Sequence, residues 1–178
     1  ILRWSSLDVS TGVLRDYLYQ KALYPSTISA TREDLAIAQA VARQALYLAM
    51  QSARRDFPQN IASIKPSLTP LFEPILAGGG ALSDASRPGH SLLLLLDTIQ
   101  PVGVTTIIID QNNLLPLLGS AASQNNILPV QVLESGAFLS VGTVVSPVVS
   151  ATYGTPVLRA KLNYENGAEA RVDLKYGT

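Results

Sequence analysis

Cysteine is absent from this chain of 178 residues, so disulfides, thiolate metal sites and cysteine nucleophiles are excluded. The absence also fits a cytoplasmic protein, which is the location we expect. Histidine occurs once, as His90, directly after Pro88 and Gly89 and before a leucine-rich stretch. We interpret His90 as a helix-start residue, and a serine–histidine–acid set is not predicted around it.

Charge is sparse and balanced. Charged residues make up 15% of the chain, with 13 basic and 13 acidic side chains. A nucleic-acid binder usually carries a basic excess, so nucleic acid is not an expected partner. The leucine run at residues 92–96 is too short to cross a bilayer, and no membrane segment is expected. The acidic residues are scattered, so we predict neither a metal site nor a catalytic carboxylate pair.

The first third of the sequence has the period of helices. Apolar side chains recur at helical spacing within residues 8–23, and Pro25 ends that helix. A second helix follows Thr31, a favourable N-cap with Asp34 three residues later. Its apolar stripe is dominated by alanine, which predicts close packing against a neighbour, and Pro58 ends it.

The middle alternates strand and helix. A short apolar run predicts a strand over residues 75–78, and the leucine-rich stretch after His90 predicts a buried helix that ends before Pro101. The β-branched run at residues 105–110 is apolar on both faces, which is typical of a central parallel strand. This order predicts an α/β fold with a short parallel layer and a right-handed crossover.

Another helix is predicted in "NNLLPLLGSAASQ", where Asn112 or Asn113 could be the cap and Pro116 lies in the first turn. The last third is β. Within residues 157–176, two segments in which apolar and polar residues alternate flank Asn166-Gly167. They predict an antiparallel hairpin with one solvent-facing side. A composition shift predicts two units: residues 1–135, helical plus an α/β lobe, and residues 136–178, a β subdomain.

Three consecutive glycines stand where the first predicted strand ends, in "PILAGGGALSDA". Glycine permits positive φ and lets another group approach the backbone closely, and ligands in parallel sheets gather at the carboxyl ends of strands. The stretch is therefore either a ligand-binding surface or a flexible turn. It lacks the Gly-Lys-Ser/Thr of a phosphate loop and the spacing of a dinucleotide fingerprint.

The stretch resembles the adenosine motif of the actin, sugar-kinase and heat-shock-chaperone superfamily, and "LLGSAA" is similar to the small-residue hinge helix of its second half. Together with "LLLLLDTIQPVGVTTIIIDQNN" and "VLESGAFLSVGTVVSP", it resembles the glutamate mutase component L family, which is unrelated to the mismatch-repair protein of similar name. The resemblance covers roughly residues 70–150.

The resemblance implies the adenosine-side lobe of an actin-like ATPase that assists a cobalamin-dependent mutase, as a reactivating chaperone. It assigns the nucleotide contacts to five consecutive residues: Gly78, Gly79, Gly80, Ala81 and Leu82. The superfamily's Asp-x-Gly phosphate hairpins have no counterpart in this sequence. We therefore expect ATP or ADP to bind the intact parent protein, with little or no nucleotide binding and no catalysis by this segment alone.

The chain starts at Ile1 without methionine and stops at Thr178 directly after a patterned strand, so we expect it to be a segment of a longer protein. Two other functions remain open on the sequence alone. One is a protein-interaction or structural domain that uses the hairpin as its partner surface. The other is an independent small-molecule enzyme, which is the weakest hypothesis because no nucleophile, base or metal set is present.

Overall fold

The computed structural model describes residues 8–58, 68–83, 85 and 87–177. Within them the chain is helical first, then forms a small α/β layer and finally an antiparallel hairpin, which confirms the predicted fold class. The elements are α1 (Thr11–Leu23), α2 (Arg32–Ala53), β1 (Ile75–Gly78), α3 (Gly80–Ser83), α4 (Pro88–Ile99), β2 (Gly103–Asp110), α5 (Leu115–Ala122), α6 (Ile127–Glu134), β3 (Leu139–Ser146), β4 (Pro156–Asn163) and β5 (Glu169–Lys175).

The main sheet has the strand order β1-β2-β3. β1 is parallel to β2, with Ile75 opposite Ile107 and Gly78 opposite Asp110. β2 is thus the central strand, as its two apolar faces predicted. β3 runs antiparallel to β2, so the sheet is mixed, and the segment after residue 135 contributes to it. The division of the chain at residues 135 and 136 stays a prediction.

One face of this sheet carries the core. Ile107 of β2 packs with Leu94 and Leu95 of α4, and Ala77 and Leu82 complete the buried cluster. The leucine-rich stretch forms the predicted buried helix because both the sheet and α2 cover it. Among the described residues no helix is both long enough and apolar enough to span a bilayer.

The capping residues of α2 behave as predicted. The backbone N–H of Asp34 donates to Thr31 Oγ1 at 3.0 Å, and the N–H of Thr31 donates to Asp34 Oδ2 at 3.2 Å. Two otherwise unpaired N–H groups of the first turn are thereby satisfied. The helix ends at Ala53, before Pro58.

The cap of α5 differs from the prediction. Asn112 donates instead to the carbonyl of Ala137 at 3.2 Å, and Asn113 adopts a positive φ of 52°. The N-terminal N–H groups of α5 are satisfied by Asp110, the last residue of β2. Pro116 lies in the first turn, as expected. The sequence analysis did not predict α6.

β4 and β5 form the predicted hairpin, with Leu158 opposite Leu174 and Asn163 opposite Glu169. The Asn166-Gly167 pair lies in the connecting turn, where the N–H of Gly167 donates to the carbonyl of Tyr164 at 2.9 Å and the glycine φ is +81°. One face of the hairpin carries the ion pairs Arg159–Asp173 and Lys161–Glu169. The other face is exposed to solvent as well, because Leu162 is 43% and Leu174 40% exposed.

Candidate functional site

The glycine triplet lies at the carboxyl end of β1, beside the end of β2. Gly78 is the last residue of the strand, Gly79 forms the connection, and Gly80 is the first residue of α3. All three are exposed, as is Ala81. The structure therefore brings four of the five predicted contact residues to the surface at the strand end.

The backbone of Gly79 is in a conformation that favours glycine. Its φ is +108°, and a Cβ atom built on it would meet no atom within 4 Å. Glycine is therefore needed here for backbone freedom and not for space inside the protein. Another molecule can approach this main chain without displacing a protein side chain.

Hydrogen bonds and burial hold the triplet in place. The N–H groups of Leu82 and Ser83 donate to the carbonyl of Gly79 at 2.9 and 3.0 Å, which closes the short helix α3. The Leu82 side chain is buried in the core, and its carbonyl accepts a 2.7 Å bond from the buried hydroxyl of Ser91. Leu82 therefore fixes α3 and the glycine triplet to the core. Its role as a nucleotide contact stays a prediction.

Asp110 closes the other side of the strand end. Its carboxylate is 1% exposed, and its two oxygens accept bonds from the N–H groups of Leu114 and Leu115 at 2.9 and 2.8 Å. These two N–H groups lie at the start of α5, where the helix itself supplies no acceptor. The side chain thus ties the end of β2, which lies beside the end of β1, to the start of the next helix.

A cavity of about 310 Å³ opens next to the triplet. Gly80 and Ala81 form part of one wall, and helices α1, α2 and α4 supply the others. The alanine stripe of α2 contributes Ala38, Ala42 and Ala45. The sequence predicted close helix packing from that stripe. The structure confirms this towards α4, against which α2 packs and where Ala42 and Leu46 reach the core, whereas towards α3 the small side chains leave part of the space unfilled.

Seven of the seventeen residues that line this cavity have polar side chains, among them Thr27, Ser29 and Ser91. Tyr17 and Lys21 come from α1, Gln39 from α2 and His90 from the first turn of α4. The Lys21 ammonium donates to the carbonyl of Thr27 at 2.6 Å. No motif in the sequence marks Tyr17, Lys21 or Gln39 as site residues. The sequence feature that could have indicated this cavity is the alanine stripe of α2, because alanine side chains are too small to fill the space next to the helix.

The environment of Tyr17 favours its neutral form. Partial burial raises the pKa of the phenol, a hydrogen bond with Ser29 opposes the shift, and the negative charge of Asp34 adds to it. The cavity therefore presents a neutral, ring-bearing hydrogen-bonding group. An apolar cavity with a few polar groups, close to the size of small ligand pockets, is a suitable shape for a flat heterocycle.

At this strand end bare backbone lies beside an apolar cavity. The bare backbone at Gly79, the surface of Ala81 and the apolar cavity could hold a base or ribose. Within the described ranges no group of three or more His, Cys, Asp or Glu side chains could hold a metal ion.

A protein-family model described as "MutL protein" matches residues 1–136. The match includes α1 and α2, which the motif resemblance over residues 70–150 did not reach, and it ends before β3. No curated protein and no solved structure matches the chain.

Proposed function

The chain belongs to the MutL protein family, that of glutamate mutase component L, and from this membership we propose that it supplies the adenosine side of a nucleotide site. The observation that carries the proposal is the cavity of about 310 Å³ walled by Gly80 and Ala81 at the carboxyl end of a parallel strand. Family membership supports the proposal independently of the site geometry, because the family model covers the whole of β1 and α3.

The binding mode follows from the site. Gly79 and Gly80 offer a side-chain-free surface to the base or ribose, and Ala81 extends it. Tyr17 and Gln39 lie across the cavity and can hydrogen-bond to polar edges of a base. The phosphates of ATP or ADP would be held by residues of the intact parent outside this chain, so the segment alone binds nucleotide weakly or not at all.

Family membership also supports a role in the cell. We propose that the parent is an ATP-binding accessory protein of a cobalamin-dependent mutase, acting in the cytoplasm as a reactivating chaperone. The test combines the purified parent with a mutase inactivated by turnover. Recovery of mutase activity that requires both the parent and ATP supports the role, and recovery without ATP contradicts it.

Nucleotide binding is tested by calorimetry with ATP and ADP on the intact parent. Gly79→Val should weaken binding, because its side chain would occupy the open space above the backbone. Gly154→Val is the matched control: Gly154 also has a positive φ, +82°, and open space around its Cβ position, but it lies in the turn before β4, where its N–H donates to the carbonyl of Tyr176. Unchanged affinity in a folded Gly79→Val parent would show that the triplet is only a turn.

A second candidate function is a protein-interaction or structural domain without a nucleotide role. The open apolar face of the β4–β5 hairpin favours it, because isolated two-stranded hairpins need a packing partner. Absence of ATP and ADP binding by the intact, folded parent would select this function over the first.

A further inference from the structure

β3 lies at the edge of the main sheet. No described strand pairs with its outer side. From Gly142 to Ser146 it pairs residue by residue with β2, and the one irregularity in this ladder lies between Ile107 and Ile108, at the start of that stretch. Five successive residues thus form a regular ribbon whose outward N–H and C=O groups can accept another strand.

Over Gly142–Ser146 this edge has none of the common protections against pairing, because the bulge lies before Gly142, where the ladder skips Val141. Natural edge strands often carry lysine or proline, and β3 contains neither; the first proline follows at Pro147. Between Asp110 and Arg159 only Glu134 is charged. The edge is therefore embedded in an almost uncharged part of the chain, although charged residues are spread over the rest.

The face of the sheet that α4 does not cover is apolar next to this edge. Val104 of β2 and Val145 of β3 are register partners and are 60% and 46% exposed. Beside them, Thr106 and Thr143 bring their hydroxyl oxygens to 3.5 Å. Val144 points to the other face, where it packs against the core. β3 is thus held by β2 along one edge and by the core on one face. Its other edge and its other face are exposed to solvent.

We infer that this edge pairs with β3 of a second copy of the chain. Two copies related by a two-fold axis at Val144 would run antiparallel, with Thr143 opposite Val145 of the second copy. A strand without charge does not repel its own copy, whereas a charged partner strand would lose hydration without meeting a counter-ion. Antiparallel pairing is self-complementary under two-fold symmetry, and β-branched residues pair well across strands.

The dimer is a transient one. A ribbon of five paired residues, with the neighbouring valines, covers less than the roughly 1,200 Å² at the lower end of stable interfaces. The dimer fraction should therefore rise with protein concentration. The inference does not depend on nucleotide binding, and β3 lies outside the residues that match the family.

Sedimentation equilibrium of the chain from about 5 to 500 µM tests the association. A monomer at all concentrations overturns the inference. Val145→Lys should shift the dissociation constant upward by at least tenfold, because lysine at an edge blocks pairing. The matched control is Leu76→Lys: Leu76 is 38% exposed and lies on the opposite edge strand, β1. Equal weakening by both variants overturns the inference, and circular dichroism establishes that both are folded.

Engineered cysteines test the register, and the natural chain contributes no thiol. Antiparallel neighbours have Cα atoms about 4.5–5.5 Å apart, within the range that a disulfide spans. Thr143→Cys and Val145→Cys are oxidised separately and as an equimolar mixture. The mixed disulfide dimer should exceed either homodimer several-fold. Homodimers at or above the statistical level of the mixture overturn the proposed pairing.

Discussion

Gly78 at the end of β1 lies directly against Asp110 at the end of β2, so that a Cβ atom added to the glycine would stand 3.4 Å from the Asp110 Cβ. The same added atom would lie 3.6 Å from an Asp110 carboxylate oxygen and 3.6 Å from Leu115 Cδ1. The strand end, the buried carboxylate and the start of α5 therefore form one packed unit directly beneath the candidate site.

Gly78→Ala should be tolerated, and Gly78→Val should not. A single methyl group makes ordinary van der Waals contacts at these distances, whereas the branched side chain overlaps its neighbours and should cost about 1–3 kcal/mol. Urea unfolding of both variants measures the difference. Equal stabilities would show that the strand end can relax away from Asp110.

Asp110→Ala should destabilise the protein by about 1–3 kcal/mol, because it leaves the N–H groups of Leu114 and Leu115 without their acceptor. Hydrogen exchange should also become faster over the first turn of α5. Asp16→Ala is the control: the Asp16 side chain is 75% exposed on α1, and surface changes usually stay within about 0.5 kcal/mol. Similar losses in both variants would contradict the assigned capping role.

Gly79→Ala and Gly119→Ala should have opposite effects. At both positions a Cβ atom meets nothing within 4 Å, so clashes do not decide the result. Gly79 has a φ of +108°, where alanine is strained by about 1–3 kcal/mol. Gly119 lies inside α5, where alanine should stabilise by about 0.5–1 kcal/mol. Thermal unfolding of the two variants checks the signs, and a stabilising Gly79→Ala would refute the backbone argument.

Glu73 should contribute a pH-dependent part of the stability. Hydrogen bonds from the hydroxyl and backbone of Thr106 lower the pKa of Glu73, the backbone N–H donating at 2.7 Å. A lowered folded-state pKa stabilises the protein above the unfolded value of about 4.3, and this contribution is lost as the pH falls through the folded value. Because the carboxylate is exposed, the effect should be small.

Glu73→Gln should flatten the dependence of the urea midpoint on pH in that window. Thr106→Val should retain part of the dependence, because it removes the hydroxyl and leaves the backbone donor. An unchanged pH profile in Glu73→Gln would assign the dependence to other carboxylates.

Local signals predicted most of the fold. The capping box at Thr31 and the alternation around Asn166-Gly167 involve residues close in the chain, so their periodicity is visible in one sequence. The strand before the glycine triplet was equally clear, because an apolar run ended at a residue that favours a turn.

Features that depend on tertiary contacts could not be read in this way. Asp110 caps a helix that begins several residues later, and the nearby asparagines were better local candidates. The pairing of β3 with β2 depends on the path of the chain through the fold, which hydrophobic periodicity does not encode. The cavity exists because the small side chains that line it do not fill the space between α1 and α2 on one side and α3 and α4 on the other.

The β4–β5 hairpin has a consequence for how the molecule unfolds. Its ladder joins only neighbouring segments of the chain, and its apolar side chains are largely open to water. The sheet core, by contrast, is built around Ile107 and Leu95 from separate segments. The hairpin should therefore open as its own low-stability unit while the core stays closed. Unfolding is then not a single cooperative step, and one melting temperature would not describe the chain.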